Sequence, residues 1–71
     1  MKNYKKRMVK EYYQLTKRAN KLRRILIKFD ASTLEFEPNT PIWLLREQYK
    51  VMCEYIRILE IRAEIEGVDL Y

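Results

Sequence analysis

Histidine is absent from this 71-residue sequence, and cysteine, tryptophan and glycine occur once each. Each scarcity excludes something. Without histidine, the commonest general base and the commonest zinc ligand are both missing. One glycine, Gly67, cannot build a phosphate-cradling loop. One cysteine, Cys53, rules out an intrachain disulfide and fits a reducing compartment. The longest unbroken apolar run is the four residues Ile42–Leu45, against the roughly 20 that a membrane span needs. Proline appears only at Pro38 and Pro41, so nothing interrupts a helix before or after that short stretch.

A chain of this length makes one small domain, spanning 1–71, and a lone core of that size supplies only about 3–5 kcal/mol. Disulfides, metals and oligomerisation are the usual supplements. With the first two excluded by composition, self-association is the expectation.

Charge is abundant and unevenly placed. The net +5 divides into +10 over residues 1–29 and −5 over residues 30–71. Two such halves are expected to attract each other along an antiparallel contact and to leave a basic surface.

Met8, Tyr12, Leu15, Ala19, Leu22, Leu26 and Phe29 alternate at steps of four and three, an unbroken heptad seam. This predicts a first helix over about 3–29, capped weakly by Asn3. On its other side run Lys6, Lys10, Tyr13, Lys17, Asn20, Lys21, Arg24 and Lys28, a cationic stripe with one aromatic. Asp30 to Thr40 then has turn chemistry. Leu34 and Phe36 within it are expected to fold back over the end of the hairpin.

The second helix is predicted over about 41–66. Thr40 is the expected N-cap, with Pro41 at the first helical position and Gly67 as the left-handed stop. Its seam is Ile42, Leu45, Tyr49, Met52, Ile56, Leu59 and Ala63. A further stripe, Leu44, Val51, Tyr55, Ile58 and Ile65, is interrupted by Gln48 and Arg62. A helix apolar on two sides needs two partners. One is the first helix, and the other is expected to be another copy of the chain. The fold class is therefore all-α: an antiparallel two-helix hairpin assembling into a homo-oligomeric bundle.

No constellation for catalysis stands out, so a non-enzymatic protein without cofactor or metal is expected. Glu60 and Glu64, one turn apart, read as a solvated helix face, and Cys53 as a packed, inert thiol beside the seam. The cations interleaved with aromatics are the functional signal, because aromatic faces stack on bases while Lys and Arg neutralise phosphate. Tyr12 is a seam residue, whereas Tyr4 and Tyr13 are freer. Antiparallel packing gathers two candidate clusters. At the loop end stand Lys28, Thr40, Trp43 and Arg46, with Arg24 nearby. At the open end stand Tyr4, Arg7, Tyr55 and Arg62, with Glu11 as the acid at hand.

The elements Tyr4-x-x-Arg7, Glu11-Tyr12-x-x-Leu15-x-x-Arg18, Leu44-Leu45-x-x-Gln48-x-x-x-Met52-x-x-Tyr55 and Ile58-Leu59-x-x-Arg62 resemble small helical-hairpin proteins of tailed phages, including crAss-like phages. The resemblance spans nearly the whole chain. In architecture the chain is also similar to the phage anti-CBASS and anti-Thoeris sponges, short helical hairpins that oligomerise and hold cyclic nucleotides between subunits. The sponges' own sequence motif is not present, so no binding residue carries over by alignment.

These readings give the expected function: a phage-encoded, non-catalytic immune-evasion protein in the host bacterial cytoplasm, without membrane association. It would sequester an anionic cyclic dinucleotide at subunit interfaces, using Tyr4, Arg7, Tyr55, Arg62, Lys28, Thr40, Trp43 and Arg46. Two alternatives from other classes remain. One is a nucleic-acid-binding regulator using the basic face of the first helix, and the other an inhibitor of a host protein.

Overall fold

A computed structural model describes the backbone of residues 3–70 and the side chains of residues 4–70. The capping expectation at Asn3 therefore lies outside the described side chains. Two helices account for about three quarters of the chain: α1, Asn3–Asp30, and α2, Ile42–Glu66. Both seams face inward. Met8, Tyr12, Ala19 and Leu26 of α1 and Leu59 and Ala63 of α2 are buried, and the other seam residues are half-buried except Phe29. Phe29 ends its seam where the helices part, which leaves it exposed. Tyr12 meets Glu60 and Asp30 meets Arg46, so the helices run antiparallel as the hairpin expectation requires.

The ends of the helices follow local rules, with one surprise at each connection. At the close of α1, the Thr33 N–H donates to the Lys28 carbonyl at 2.8 Å and the Ser32 N–H to the Phe29 carbonyl at 3.0 Å. This pair of bonds is a Schellman stop, which needs a left-handed residue at its centre. Here that residue is Ser32, with φ 61°. A serine there carries a Cβ penalty that glycine lacks. Ser32→Gly is accordingly expected to stabilise the hairpin by about 0.5–1 kcal/mol. A thermal melt would read this as a rise of several degrees.

At the start of α2 the expected Thr40 cap is corrected. Pro41 occupies the capping position, with extended ψ 142° and no side-chain cap bond. Its carbonyl accepts from the N–H groups of Leu44 and Leu45, which is the task of the residue before the first helical one. Thr40 lies one position too early, held out of helical geometry by the proline that follows it.

Gly67 behaves as expected. At φ 67° its N–H reaches the Glu64 carbonyl, and the Val68 N–H reaches Ala63 at 2.8 Å. The stop redirects the chain onto the hairpin. Leu70, 3 % exposed, joins Met8, Tyr12, Leu59 and Ala63 in the core cluster, with Val68 packed against it. The core is thus concentrated at the open end of the hairpin. The loop covers the other end only in part, since Leu34 is half-buried and Phe36 stays exposed.

The whole is a rod of 46 × 19 × 16 Å with a radius of gyration of 14.9 Å, against roughly 11 Å for a compact domain of this length. Among the described residues, no helix is long and apolar enough to cross a membrane.

Candidate functional site

Few ion pairs tie down the charge of α1 among the described residues. Among the described residues, the two ion pairs are Arg46–Asp30 and Arg62–Glu66. Neither uses a cation of α1, so Lys5, Lys6, Arg7, Lys10, Lys17, Arg18, Lys21, Arg23, Arg24 and Lys28 all stand without an ion pair among the described residues. Among the described residues, the inter-helix pair joins an acid of α1 to a base of α2.

At the loop end, Arg46 donates both guanidinium nitrogens to the carboxylate of Asp30, at 2.6 and 3.2 Å. These bonds hold the Asp30 carboxyl below the usual carboxylate range and raise Arg46. Because the folded value of Asp30 is depressed, its contribution to stability is complete above the unfolded value near 4. The contribution is lost as pH falls through the lower folded value. Asp30→Asn should flatten that acid limb in a series of melts between pH 2 and pH 5, roughly the range a carboxylate of this kind titrates over.

Beside this pair lies an open groove of about 420 Å³ lined by Arg23, Leu26, Ile27, Asp30, Arg46 and Tyr49. α1 presents Leu26 and Ile27 as its floor, and Arg23 lies one turn before Ile27 on the same flank. α2 supplies Tyr49 and Arg46, one turn apart. The Cys53 thiol, as a hydrogen-bond partner, and burial push the Tyr49 phenol upward, and the Arg23 charge acts in the opposite sense. Two guanidinium groups, a phenol ring and an aliphatic floor can hold a planar anionic ligand. One turn before Arg46, Trp43 is 67 % exposed. Lys28 is exposed and Thr40 half-buried. Of the four loop-end residues singled out in the sequence, Arg46 lines the groove, and Lys28, Thr40 and Trp43 are not among its lining residues.

At the open end, the Tyr55 hydroxyl donates to the Glu11 carboxylate. That acceptor, together with burial, raises the Tyr55 phenol, and the Arg62 charge acts in the opposite sense. Arg62 itself approaches Glu66 one turn on, at 3.8 Å. Tyr4 and Arg7 are exposed on α1. The structure therefore joins Tyr55 to Glu11 and occupies Arg62, and it leaves Tyr4 and Arg7 at the surface.

Four residues differ from the expectation. Tyr13, read as free within the basic stripe, donates its hydroxyl to the Leu70 carbonyl at 2.8 Å and packs edge-on against Tyr12 at 5.8 Å. The returning tail causes this. Cys53, read as packed, is exposed, because it lies on the flank of α2 past the edge of the contact. Arg23 and Tyr49 were not singled out for the site, although the register placing Asp30 beside Arg46 also places them together.

No curated protein and no solved structure matches the chain. A family model does match, over residues 2–65, which takes in α1, the loop and all but the last residue of α2. By that match the chain belongs to the Sequestin family.

Proposed function

We propose that the protein is a non-catalytic sequestering protein for an anionic nucleotide second messenger, a cyclic dinucleotide, encoded by a phage to blunt a CBASS-type immune signal. The observation that carries the reading is the groove in which Arg23 and Arg46 flank Tyr49 over an apolar floor. The family name, with its sense of sequestration, supports a binding protein. In mechanism, guanidinium groups pair with phosphate through charge-assisted hydrogen bonds, and Tyr49 or the exposed Trp43 stacks on a base. Lys28 and the other unpaired cations of α1 raise the local concentration of an anion. Tyr4 and Arg7, exposed on α1, would add to the cationic and aromatic surface at the open end, near Tyr55 and Arg62 of α2. Sequestration needs tight binding and slow release without bond cleavage.

Asp30 competes with the ligand for Arg46 in this scheme. Asp30→Asn should tighten nucleotide binding several-fold in isothermal titration, since it frees the guanidinium and removes a like charge from the groove. Unchanged or weaker binding in that variant would place the ligand elsewhere.

A second reading rests on the same unpaired cations. Lys6, Lys10, Lys17, Lys21 and Lys28 extend along one helix for roughly 33 Å, long enough to follow a nucleic-acid backbone. Native mass spectrometry with a panel of cyclic dinucleotides and single-stranded DNA and RNA oligonucleotides separates the two. Uptake of a cyclic dinucleotide in fixed stoichiometry supports the sponge. Binding of the oligonucleotides alone, falling steeply with salt, would replace it with the nucleic-acid reading.

A further inference from the structure

The hairpin leaves a second seam of α2 uncovered. Leu44, Val51, Ile58 and Ile65 recur every seven residues and are 43, 54, 50 and 77 % exposed. Gln48, Tyr55 and Arg62 fall four residues after the first three of them. A seven-residue repeat with three and four residues between its members is the pattern of a helix that packs against another helix. Three of the four leading positions are the β-branched Val51, Ile58 and Ile65. Among the described residues, nothing covers them fully.

The exposed area is large enough for a neighbour to cover part of it. The chain has 5943 Å² of accessible surface, whereas a folded monomer of 8.8 kDa exposes roughly 4,800 Å². The excess is more than the about 800 Å² that each partner buries in a stable interface of ordinary size.

We infer that the outer seam of α2, centred on Val51, Tyr55 and Ile58, binds the same seam of a second copy of this chain, with the two α2 helices antiparallel. Orientation follows from Arg62. A parallel pair would set the two Arg62 side chains against each other in one layer, whereas an antiparallel pair moves them to opposite ends of the contact, each beside aliphatic residues over which a long stem can lie. The helix macrodipoles favour the same choice. The result is a four-helix bundle with α2 inside and the basic face of α1 on both outer sides, the groove of Arg23, Tyr49 and Arg46 staying open in each copy. Lysine-rich α1 faces are thereby kept apart, which limits charge repulsion across the dimer.

This inference deepens the proposed function by naming the second copy as the partner. It is tested without any nucleotide, so its failure and that of the ligand reading are separable. Sedimentation equilibrium of the full chain should give twice the mass of 8.8 kDa. Ile58→Lys, and separately Val51→Lys, should weaken the dimer at least about 100-fold, since each places an ammonium group inside the seam. Far-UV circular dichroism of both variants checks that the helices persist. Orientation is read in a Cys53→Ser background with a short bismaleimide. Leu44→Cys mixed with Ile65→Cys should cross-link between copies. Ile65→Cys alone should not, because its two sites would lie roughly 30 Å apart along an antiparallel pair. A wild-type monomer at micromolar concentration, a dimer indifferent to both lysine variants, or efficient self-linking of Ile65→Cys would each overturn the inference.

Discussion

Leu59→Ala is expected to unfold the hairpin at room temperature, with loss of most helical circular dichroism. Leu59 is 0 % exposed and lies among Met8, Tyr12, Ala63 and Leu70. Truncating a buried leucine costs about 2–5 kcal/mol, through lost transfer energy and the cavity left behind. A core of this size provides only about 3–5 kcal/mol in total, so one substitution removes most of it. The conservative Leu59→Met should survive, at a cost under about 1.5 kcal/mol, because volume is kept. An exposed control such as Ile61→Ala should shift the melt far less. If Leu59→Ala melted like Ile61→Ala, the placement of the core at the open end would be wrong.

The second large effect concerns binding. Arg23→Ala and Arg46→Ala should each reduce cyclic-dinucleotide affinity by about 10–100-fold, the range for losing a hydrogen bond to a charged group. Together they should abolish measurable binding, with the helical content unchanged, since Arg23 forms no ion pair among the described residues and Arg46–Asp30 is an exposed pair. Substituting Lys6 or Lys10 should cost much less. An even loss across all these positions would instead describe a backbone-tracking nucleic-acid binder.

The seams explain why the fold was legible. Met8 to Leu26 and Ile42 to Ala63 carry their periodicity in the sequence, and the structure turns both inward. Gly67 was legible because glycine is the residue of choice for a left-handed helix stop. Ser32 does the same work without any such signal, because serine is common in turns of every type. Leu70 was not legible, since residues 68–70 are too few to show a period. Only the turn at Gly67 aims them at the core, and Tyr13 is tied down in consequence.

For the candidate site the limits were of a different kind. Arg46 could be found because it stood near the predicted loop end, but its engagement by Asp30 depends on helix register. Tyr49 reads in the sequence as a seam residue, although a tyrosine can bury one edge of its ring and offer the other. Arg23 was one cation among eleven in residues 1–29. Pairing the predicted seams in antiparallel register would have placed it opposite Tyr49.

The most direct test of sequestration is to mix the protein with a cyclic dinucleotide, remove unbound ligand, denature the protein and identify what is released. The account predicts that intact cyclic dinucleotide returns, in stoichiometric amount and after any incubation time. Recovery of linear or cleaved products accumulating with time would make the protein an enzyme and contradict the account. Full recovery of the ligand in the unbound fraction would contradict it equally.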